Sequence, residues 1–438
     1  LAREAKTERG AIETYDGTVL AQSVRTEDGS YQREYPAGDL AAHVVGYVSE
    51  QYGTSGIESS YNDTLKGQEN FATWSDVINS MAGVNSPGND VTLTINSKLQ
   101  RAAQDAIGGY RGACVVMDPE TGAVLALASS PSYDAADVEA LIKQAAEQGS
   151  SSTSSSELYN RATQALYPPG STFKMVTLTT ALEDGVADEE TVFDSPGVMD
   201  IGNAEVSNFG EYAYGSISLA RATELSSNTV YGQLGVLMGA QRLVEGAEKF
   251  GFNKEVPFDL PLAMSLMPDP DEMTEWETAW AAAGEPVGEH PSPAGPQATV
   301  LEMALVGCAI GNNGAMMQPY LVDSVHNAAG ERSYQATPST YAQVCAPAIA
   351  NRVLEVLKGV VANGTGTAAQ IEGVTVAGKT GTAEHKGQPD DKWFVGIAPA
   401  DDARVVVALA LERVGTSADA TTQARGVLEE ALRVQGLL

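Results

Sequence analysis

Hydrophobic and polar residues alternate along this chain in two rhythms, and each rhythm predicts one type of secondary structure. Apolar residues after position 97 recur at helical spacing and predict an amphipathic helix with a face formed by Leu99, Ala102, Ala103, Ala106 and Ile107. A strand pair is predicted next, because the turn sequence Asp-Pro-Glu-Thr-Gly at 118–122 separates two apolar runs. Further strands are predicted at 374–383, 393–397 and 404–411. A helix over residues 421–434 closes the chain.

The middle of the chain completes the predicted fold class. Residues 171 to about 240 and beyond are predicted as a helical block, and the serine-rich run at 149–156 as a flexible loop. Helix, strand pair, helical block, three strands and final helix together predict an α+β fold. In this fold, helices flank a mainly antiparallel sheet and also form a helical subdomain.

The first 96 residues differ from the rest of the chain. Their apolar runs are short and are broken by turn signals such as Asp16-Gly17 and Asp28-Gly29. We therefore expect a small β-rich pedestal domain at 1–96 and a larger domain at 97–438. The length of 438 residues agrees, because single hydrophobic cores stop growing beyond ~250–300 residues.

Charge and the rarer side chains exclude several classes of function. The chain has 57 acidic and 26 basic residues, a formal net charge of −31, which repels nucleic acid and argues against a nucleic-acid partner. Three distant cysteines form no disulfide framework, and Cys114 and Cys308 lie in apolar runs where we expect them to be buried. Four histidines lack metal-ligand spacing, so neither a metal nor a cofactor is predicted.

The strongest chemical signal is the only Ser-x-x-Lys in the chain, Ser171 to Lys174, which follows Pro168-Pro169-Gly170. A serine hydroxyl needs a base to become a nucleophile, and residues three apart on a helix share one face. Pro and Gly favour a fresh helix start here, so Ser171 is predicted in the first turn, where unpaired N–H groups favour negative charge.

Two further motifs follow in order. Ser226-Ser227-Asn228 begins 55 residues after Ser171, and Lys379-Thr380-Gly381-Thr382 begins 153 residues after Ser226. The second lies in an alternating, glycine-containing run that suits a strand against which a ligand backbone can lie. A carboxylate-bearing substrate of so acidic a protein needs a local cation, and Lys379 is the candidate.

These three motifs and their order resemble the penicillin-binding serine transpeptidases. The resemblance covers nearly the whole chain and is most similar to a class B penicillin-binding protein, the monofunctional peptidoglycan DD-transpeptidase type. It extends to Arg9-Gly10-Ala11-Ile12, Tyr35-Pro36-Ala37-Gly38 and 112–119. One stretch departs from the family pattern: Gly295-Pro296-Gln297 stands where a Gly-Gln-Gly-like turn is expected.

The resemblance implies a role for each motif residue. Lys174 takes the proton of Ser171, which attacks the penultimate D-Ala of a stem peptide, and Ser226 relays a proton to the departing D-Ala. The backbone N–H groups of Ser171 and Thr382 hold the oxyanion. Asn228 is implied to bind the stem-peptide amide, and Lys379 with Thr380 and Thr382 to hold the terminal carboxylate. Gly381 is a further implied substrate-binding residue. β-Lactams acylate the same serine.

Three alternative functions remain open from the sequence. A DD-carboxypeptidase uses the same acyl-enzyme, and a β-lactam sensor acylates equally well. A serine β-lactamase needs a deacylating base, but no Glu-x-x-x-Asn occurs between Asn228 and Lys379. The family resemblance also leads us to expect extracytoplasmic localisation, an N-terminal membrane helix absent from this chain and a glycan polymerase as partner.

Overall fold

The computed structural model describes residues 7–68, 87–147, 157–288 and 292–438. Its helices are α1 (Ala42–Val45), α2 (Gly56–Ser60), α3 (Asn62–Leu65), α4 (Ser97–Ile107), α5 (Val138–Glu147), α6 (Arg161–Gln164), α7 (Lys174–Glu183), α8 (Leu219–Glu224), α9 (Asn228–Met238), α10 (Ala240–Lys249), α11 (Glu275–Ala283), α12 (Val300–Gly311), α13 (Pro347–Asn363) and α14 (Ala420–Val434). The serine-rich run at 149–156, predicted as a loop, lies outside the described residues.

Nineteen strands occur in the same described ranges. They are β1 (Ile12–Glu13), β2 (Val19–Arg25), β3 (Tyr31–Glu34), β4 (Val48–Ser49), β5 (Gly53–Thr54), β6 (Asp90–Leu93), β7 (Gly112–Met117), β8 (Val124–Ser130), β9 (Val192–Ser195), β10 (Val198–Ile201), β11 (Ala204–Ser207), β12 (Gly215–Ser218), β13 (Ala315–Met317), β14 (Val322–His326), β15 (Arg332–Gln335), β16 (Thr340–Gln343), β17 (Ala377–His385), β18 (Gln388–Ala398) and β19 (Val405–Leu411).

A five-stranded antiparallel sheet in the order β17-β18-β19-β7-β8 forms the centre of the larger domain. β19 is buried on both faces because alternate side chains enter two cores. Val405, Val407 and Leu409 pack with α4 and α14, whereas Val406 and Ala408 pack with α12. The predicted strand pair, late strands and flanking helices are present, and the α+β fold is confirmed.

The predicted continuous helical block after Ser171 is wrong in its middle. α7 ends at Glu183, and residues 192–218 form two nested antiparallel pairs, β9 with β12 and β10 with β11, before α8 begins. The inner pair turns at Gly202-Asn203, both with positive φ, 66° and 67°. A two-residue turn of this kind requires such residues, so this dipeptide was the missed hairpin signal.

The N-terminal sheet is not built from the N-terminal residues alone. Its order is β15-β14-β6-β1-β2-β3, so a hairpin from residues 322–335 completes it. Asp259 strengthens the junction: it accepts from Tyr61 Oη at 2.6 Å and from the backbone N–H of Leu321 at 2.6 Å. Sequence analysis did not anticipate this hairpin, because strand partners distant in sequence leave no local signal.

A buried ion cluster holds the first residues of the pedestal together. Glu58 is fully buried and accepts from Arg9 Nε at 2.5 Å and from Arg33 Nε at 2.6 Å. Arg9 also donates to the Glu58 carbonyl oxygen and to Asn62, and Arg33 donates to the Gly10 carbonyl oxygen. The buried carboxylate is thus paired with cations on both oxygens, which offsets the cost of removing it from water.

Candidate active site

Ser171 lies in a one-turn 3-10 helix, Gly170–Phe173, that leads into α7, as the start signals predicted. Gly170 has φ +53°, and a Cβ there would lie 2.3 Å from the Thr382 carbonyl oxygen. Only glycine fits so close an approach. The nucleophile turn therefore lies directly against β17, which brings the first and third motifs together.

Lys174 is fully buried, and its amine is surrounded by polar atoms of the first two motifs. Nζ lies 2.9 Å from Ser171 Oγ, 2.9 Å from the Ser226 carbonyl oxygen and 2.7 Å from Asn228 Oδ1. Burial and, next, the positive Lys379 lower the pKa of Lys174 well below its ordinary value.

The neighbours of Lys174 also orient the neutral amine. A neutral amine has two N–H groups and one lone pair. The carbonyl oxygen of Ser226 and Oδ1 of Asn228 can only accept, so they take the two N–H groups. The lone pair is left for the hydroxyl proton of Ser171, which is the arrangement that a general base requires.

Ser226 connects the two lysines. Its Oγ lies 2.9 Å from Lys379 Nζ and 3.2 Å from Lys174 Nζ. Its φ is +58°, a conformation that non-glycine residues rarely adopt. The next residue, Ser227, caps α9 and forms buried hydrogen bonds with Ser195 and Asn208, which fix this turn. Backbone strain that neighbouring hydrogen bonds hold in place is typical of functional sites.

Asn228 is engaged by the protein at both ends of its amide. Oδ1 faces Lys174, and Nδ2 donates to the carbonyl oxygen of Ser207 at 2.9 Å. One N–H remains for a ligand. The role of Asn228 in orienting Lys174 was missed by sequence analysis, because nothing in Ser-x-Asn reveals which groups the amide contacts.

Lys379 is buried on β17, and burial lowers its pKa to about 7. Besides Ser226, its Nζ contacts the Thr380 carbonyl oxygen at 3.1 Å. Thr380 Oγ1 pairs with Thr365 at 2.7 Å, and Thr382 Oγ1 accepts from Lys392 Nζ at 3.1 Å. β17 is an edge strand of the sheet, so its free edge can pair with an extended peptide.

All the predicted site residues thus come together against the middle of β17. Thr365, Lys392 and Ser207 join them without a sequence motif of their own. The three cysteines, Cys114, Cys308 and Cys345, are free and buried, and the two expected to be buried are confirmed.

The family described as "Penicillin binding protein transpeptidase domain" matches residues 112–432, and "Penicillin binding protein A dimerisation domain" matches residues 9–91. The chain belongs to the penicillin-binding transpeptidase family. Both matches agree with the resemblance drawn from the motifs. Within the described ranges, no helix has the length and apolar character that spanning a membrane requires.

Relatives of this penicillin-binding chain cover almost its whole length. The peptidoglycan D,D-transpeptidase PbpA of Mycobacterium tuberculosis is 33% identical over 463 residues, covering 99% of this chain and 91% of the relative. A crystal structure of the D,D-transpeptidase domain of a peptidoglycan glycosyltransferase from Eggerthella lenta has TM-score 0.92 and 60% identity, covering 99% of this chain and 100% of that one. The imipenem acyl-enzyme complex of penicillin-binding protein A from M. tuberculosis has TM-score 0.88 and 30% identity, with the same coverage.

Proposed function

We infer that this chain is a serine-type peptidoglycan D,D-transpeptidase that cross-links stem peptides, releases D-Ala and is acylated by β-lactams. The observation that carries this function is the buried amine of Lys174, whose lone pair is directed at Ser171 Oγ. The relatives named above as D,D-transpeptidases, and the solved acyl-enzyme complex with imipenem, support the same chemistry.

In the acylation half-reaction, Ser171 Oγ attacks the carbonyl carbon of the penultimate D-Ala while Lys174 takes its proton. Negative charge develops on the carbonyl oxygen and is stabilised by the N–H groups of Ser171 and Thr382, whose segments touch at Gly170. The proton then passes from Lys174 through Ser226, which contacts both lysines, to the departing D-Ala nitrogen.

The substrate lies along the free edge of β17, with the stem-peptide backbone held by Asn228 and Gly381. Its terminal carboxylate binds at Lys379, Thr380 and Thr382. Lys379 is partly deprotonated near neutral pH in the free protein because its pKa is about 7. A bound carboxylate restores its charge, so the ion pair forms chiefly with the correct ligand.

The cellular setting follows from this activity. Cross-linking of peptidoglycan takes place outside the cytoplasm. We further propose a membrane anchor that precedes this chain, a glycan polymerase as working partner, and domains at 1–96 and 97–438. Co-purification of the full-length protein from membranes, with and without a segment N-terminal to Leu1, tests the anchor and the partner.

The proposed function is tested by intact-mass measurement during incubation with penicillin. The wild type should gain one penicillin mass that persists, whereas rapid release would indicate a β-lactamase. Ser171→Ala should gain none, because the nucleophile is gone and the small change leaves packing intact. Ser60→Ala is the matched control, since Ser60-Tyr61-Asn62 repeats the second motif outside the cluster; it should behave as wild type. An adduct on Ser171→Ala would refute the assignment of the nucleophile.

A further inference from the structure

One acidic side chain at the site has no part in the acylation steps above. Glu285 directly follows Gly284, the left-handed residue that ends α11. A Cβ on Gly284 would lie 1.8 Å from the Gly170 carbonyl oxygen, so the Gly284 backbone lies directly against the nucleophile turn. The N–H of Glu285 donates to the Trp280 carbonyl oxygen at 2.9 Å, which fixes its backbone beside Ser171.

The carboxyl of Glu285 extends from this position toward β17. The backbone N–H of Glu384, two residues after Thr382, faces this carboxyl and favours its charged form. The charged groups facing it are Lys174 on α7, Glu384 on β17 and Asp390 on β18. Lys174 forms its hydrogen bonds with Ser171, Ser226 and Asn228, so Glu285 is near this base without being one of its direct partners.

Burial of Glu285, followed by repulsion from Glu384, raises its pKa to about 8. Glu285 is nevertheless partly exposed, so a ligand can reach it. The second half of cross-linking requires what such a group supplies. The acceptor amine arrives as an ammonium ion, with a pKa of about 10.4 if it resembles a lysine side chain, and must lose a proton before its nitrogen can attack. A carboxylate that binds protons more strongly than usual is better matched to this task than an ordinary one.

We propose that Glu285 binds the acceptor ammonium and takes its proton during attack on the acyl-enzyme. This proposal rests on the transpeptidase function above. The ammonium gives one proton to the Glu285 carboxylate, and its nitrogen lone pair forms the new bond to the acyl carbon. The C–O bond to Ser171 then breaks, and the second nitrogen proton passes through Lys174 to Ser171 Oγ. The products are the cross-linking amide, the free serine and a protonated Glu285, which releases its proton to solvent.

The acidic neighbours of Glu285 contribute to binding the amine. Glu384 and Asp390 place negative charge around the same carboxyl, which attracts a cation and repels a carboxylate. Lys379 lies in a different part of the cleft, where its Nζ contacts Ser226 Oγ. Its positive charge attracts a carboxylate and repels an ammonium ion. The donor carboxylate and the acceptor ammonium are therefore received at different ends of one site.

The test separates the two half-reactions in the whole 438-residue chain. Acylation is followed as the rate of penicillin adduct formation, and transfer as the formation of the new amide from an N-acyl-D-alanyl thioester donor. The acceptor is Nα-acetyl-lysine amide, which offers a lysine ε-amine and carries no carboxylate. Glu285→Gln keeps the size of the side chain but cannot take a proton. It should acylate within about twofold of wild type. At about pH 8.5, where most of the wild-type Glu285 is ionised, it should lose ~10²-fold in transfer, the lower worth of general-base catalysis.

The pH profile distinguishes proton transfer from simple support of the fold. In the wild type, transfer should rise with pH through about 8 as Glu285 ionises. In Glu285→Gln this step should be absent, and the deficit should shrink toward pH 10, where the acceptor is already a free amine. Glu285→Asp should recover part of the transfer rate. Glu355→Gln, at an exposed carboxylate on α13, is the control and should match wild type.

Each contrary outcome is distinct. Normal transfer by Glu285→Gln, or equal losses in acylation and transfer at every pH, overturns the role of Glu285 while leaving the transpeptidase function standing. Absence of any penicillin adduct in the wild type overturns the proposed function itself. If Glu285→Gln does not fold, Glu285→Asp and the wild-type profile decide: no rise of transfer relative to acylation near pH 8 rejects the proposal.

Discussion

Two regions of the molecule bury charged side chains, and they do so in opposite ways. In the pedestal, the fully buried Glu58 is bound by Arg9 and Arg33 through short ion pairs. At the active site, Lys174 and Lys379 are fully buried, yet among the described residues neither forms an ion pair with a carboxylate.

The difference follows from what each region has to do. Arginine remains charged and matches a carboxylate with a rigid set of donors, so the pedestal cluster is a fixed structural joint. Lysine can lose its proton when buried without a counter-ion, and here burial lowers the pKa of both lysines. Buried charges with counter-ions thus remain charged and join the pedestal, whereas burial without a counter-ion favours the neutral amine that the reaction at Ser171 requires.

The largest expected effect comes from a substitution at the active site, where it tests whether a neutral Lys174 is the base. Lys174→Arg keeps the charge but removes the neutral base, because the pKa of arginine exceeds ~12. Acylation by penicillin should fall at least ~10²-fold, the lower worth of a general base. Stopped-flow or timed mass measurement gives the rate, with circular dichroism as the check on folding. A near-wild-type rate would mean that another group takes the proton of Ser171.

The next prediction tests whether the buried ion cluster of the pedestal stabilises the fold. Glu58→Gln leaves two arginines without their buried counter-ion and should lower the free energy of unfolding by ~3–5 kcal/mol. The control is Glu430→Gln, which breaks an exposed pair with Arg433 and should cost at most ~0.5 kcal/mol. Denaturant unfolding measures both. Penicillin acylation by folded Glu58→Gln should stay near wild type, and a large loss there would mean that the pedestal cluster also shapes the site.

The active-site residues could be predicted from the sequence more readily than the Glu58 cluster. Ser171, Lys174, Ser226 and Lys379 were found because their motifs are local, and helical and strand spacing located α4, β7, β17 and α14. Strong local periodicity is the most predictable part of a fold.

What the sequence missed depends on contacts between distant segments. The Glu58 cluster joins residues 49 and 25 positions apart, and the hairpin at 322–335 joins the N-terminal sheet. Lys392 and Glu285 reach the site from outside any motif. The hairpin turn at Gly202-Asn203 was local and could have been found.

The last effect separates two possible roles of Lys379. If it pairs with the ligand carboxylate, Lys379→Gln should reduce acylation by penicillin ~10–10³-fold and affect an esterified analogue clearly less. Because the pKa of Lys379 is about 7 in the free protein, its charge is present below pH 7 and is lost above. Acylation by the free acid should therefore decline above about pH 7 in the wild type, and this decline should be missing for the ester and for Lys379→Gln.

If Lys379 instead acts by lowering the pKa of Lys174, a different pH dependence of acylation is expected. Removing the positive neighbour would raise the pKa of Lys174 and reduce the fraction of neutral base at a given pH. Acid and ester would then lose acylation rate by the same factor, and the loss would shrink as pH rises and Lys174 deprotonates without help. Equal, pH-dependent losses would make Lys379 a tuner of the base and leave the carboxylate to Thr380 and Thr382.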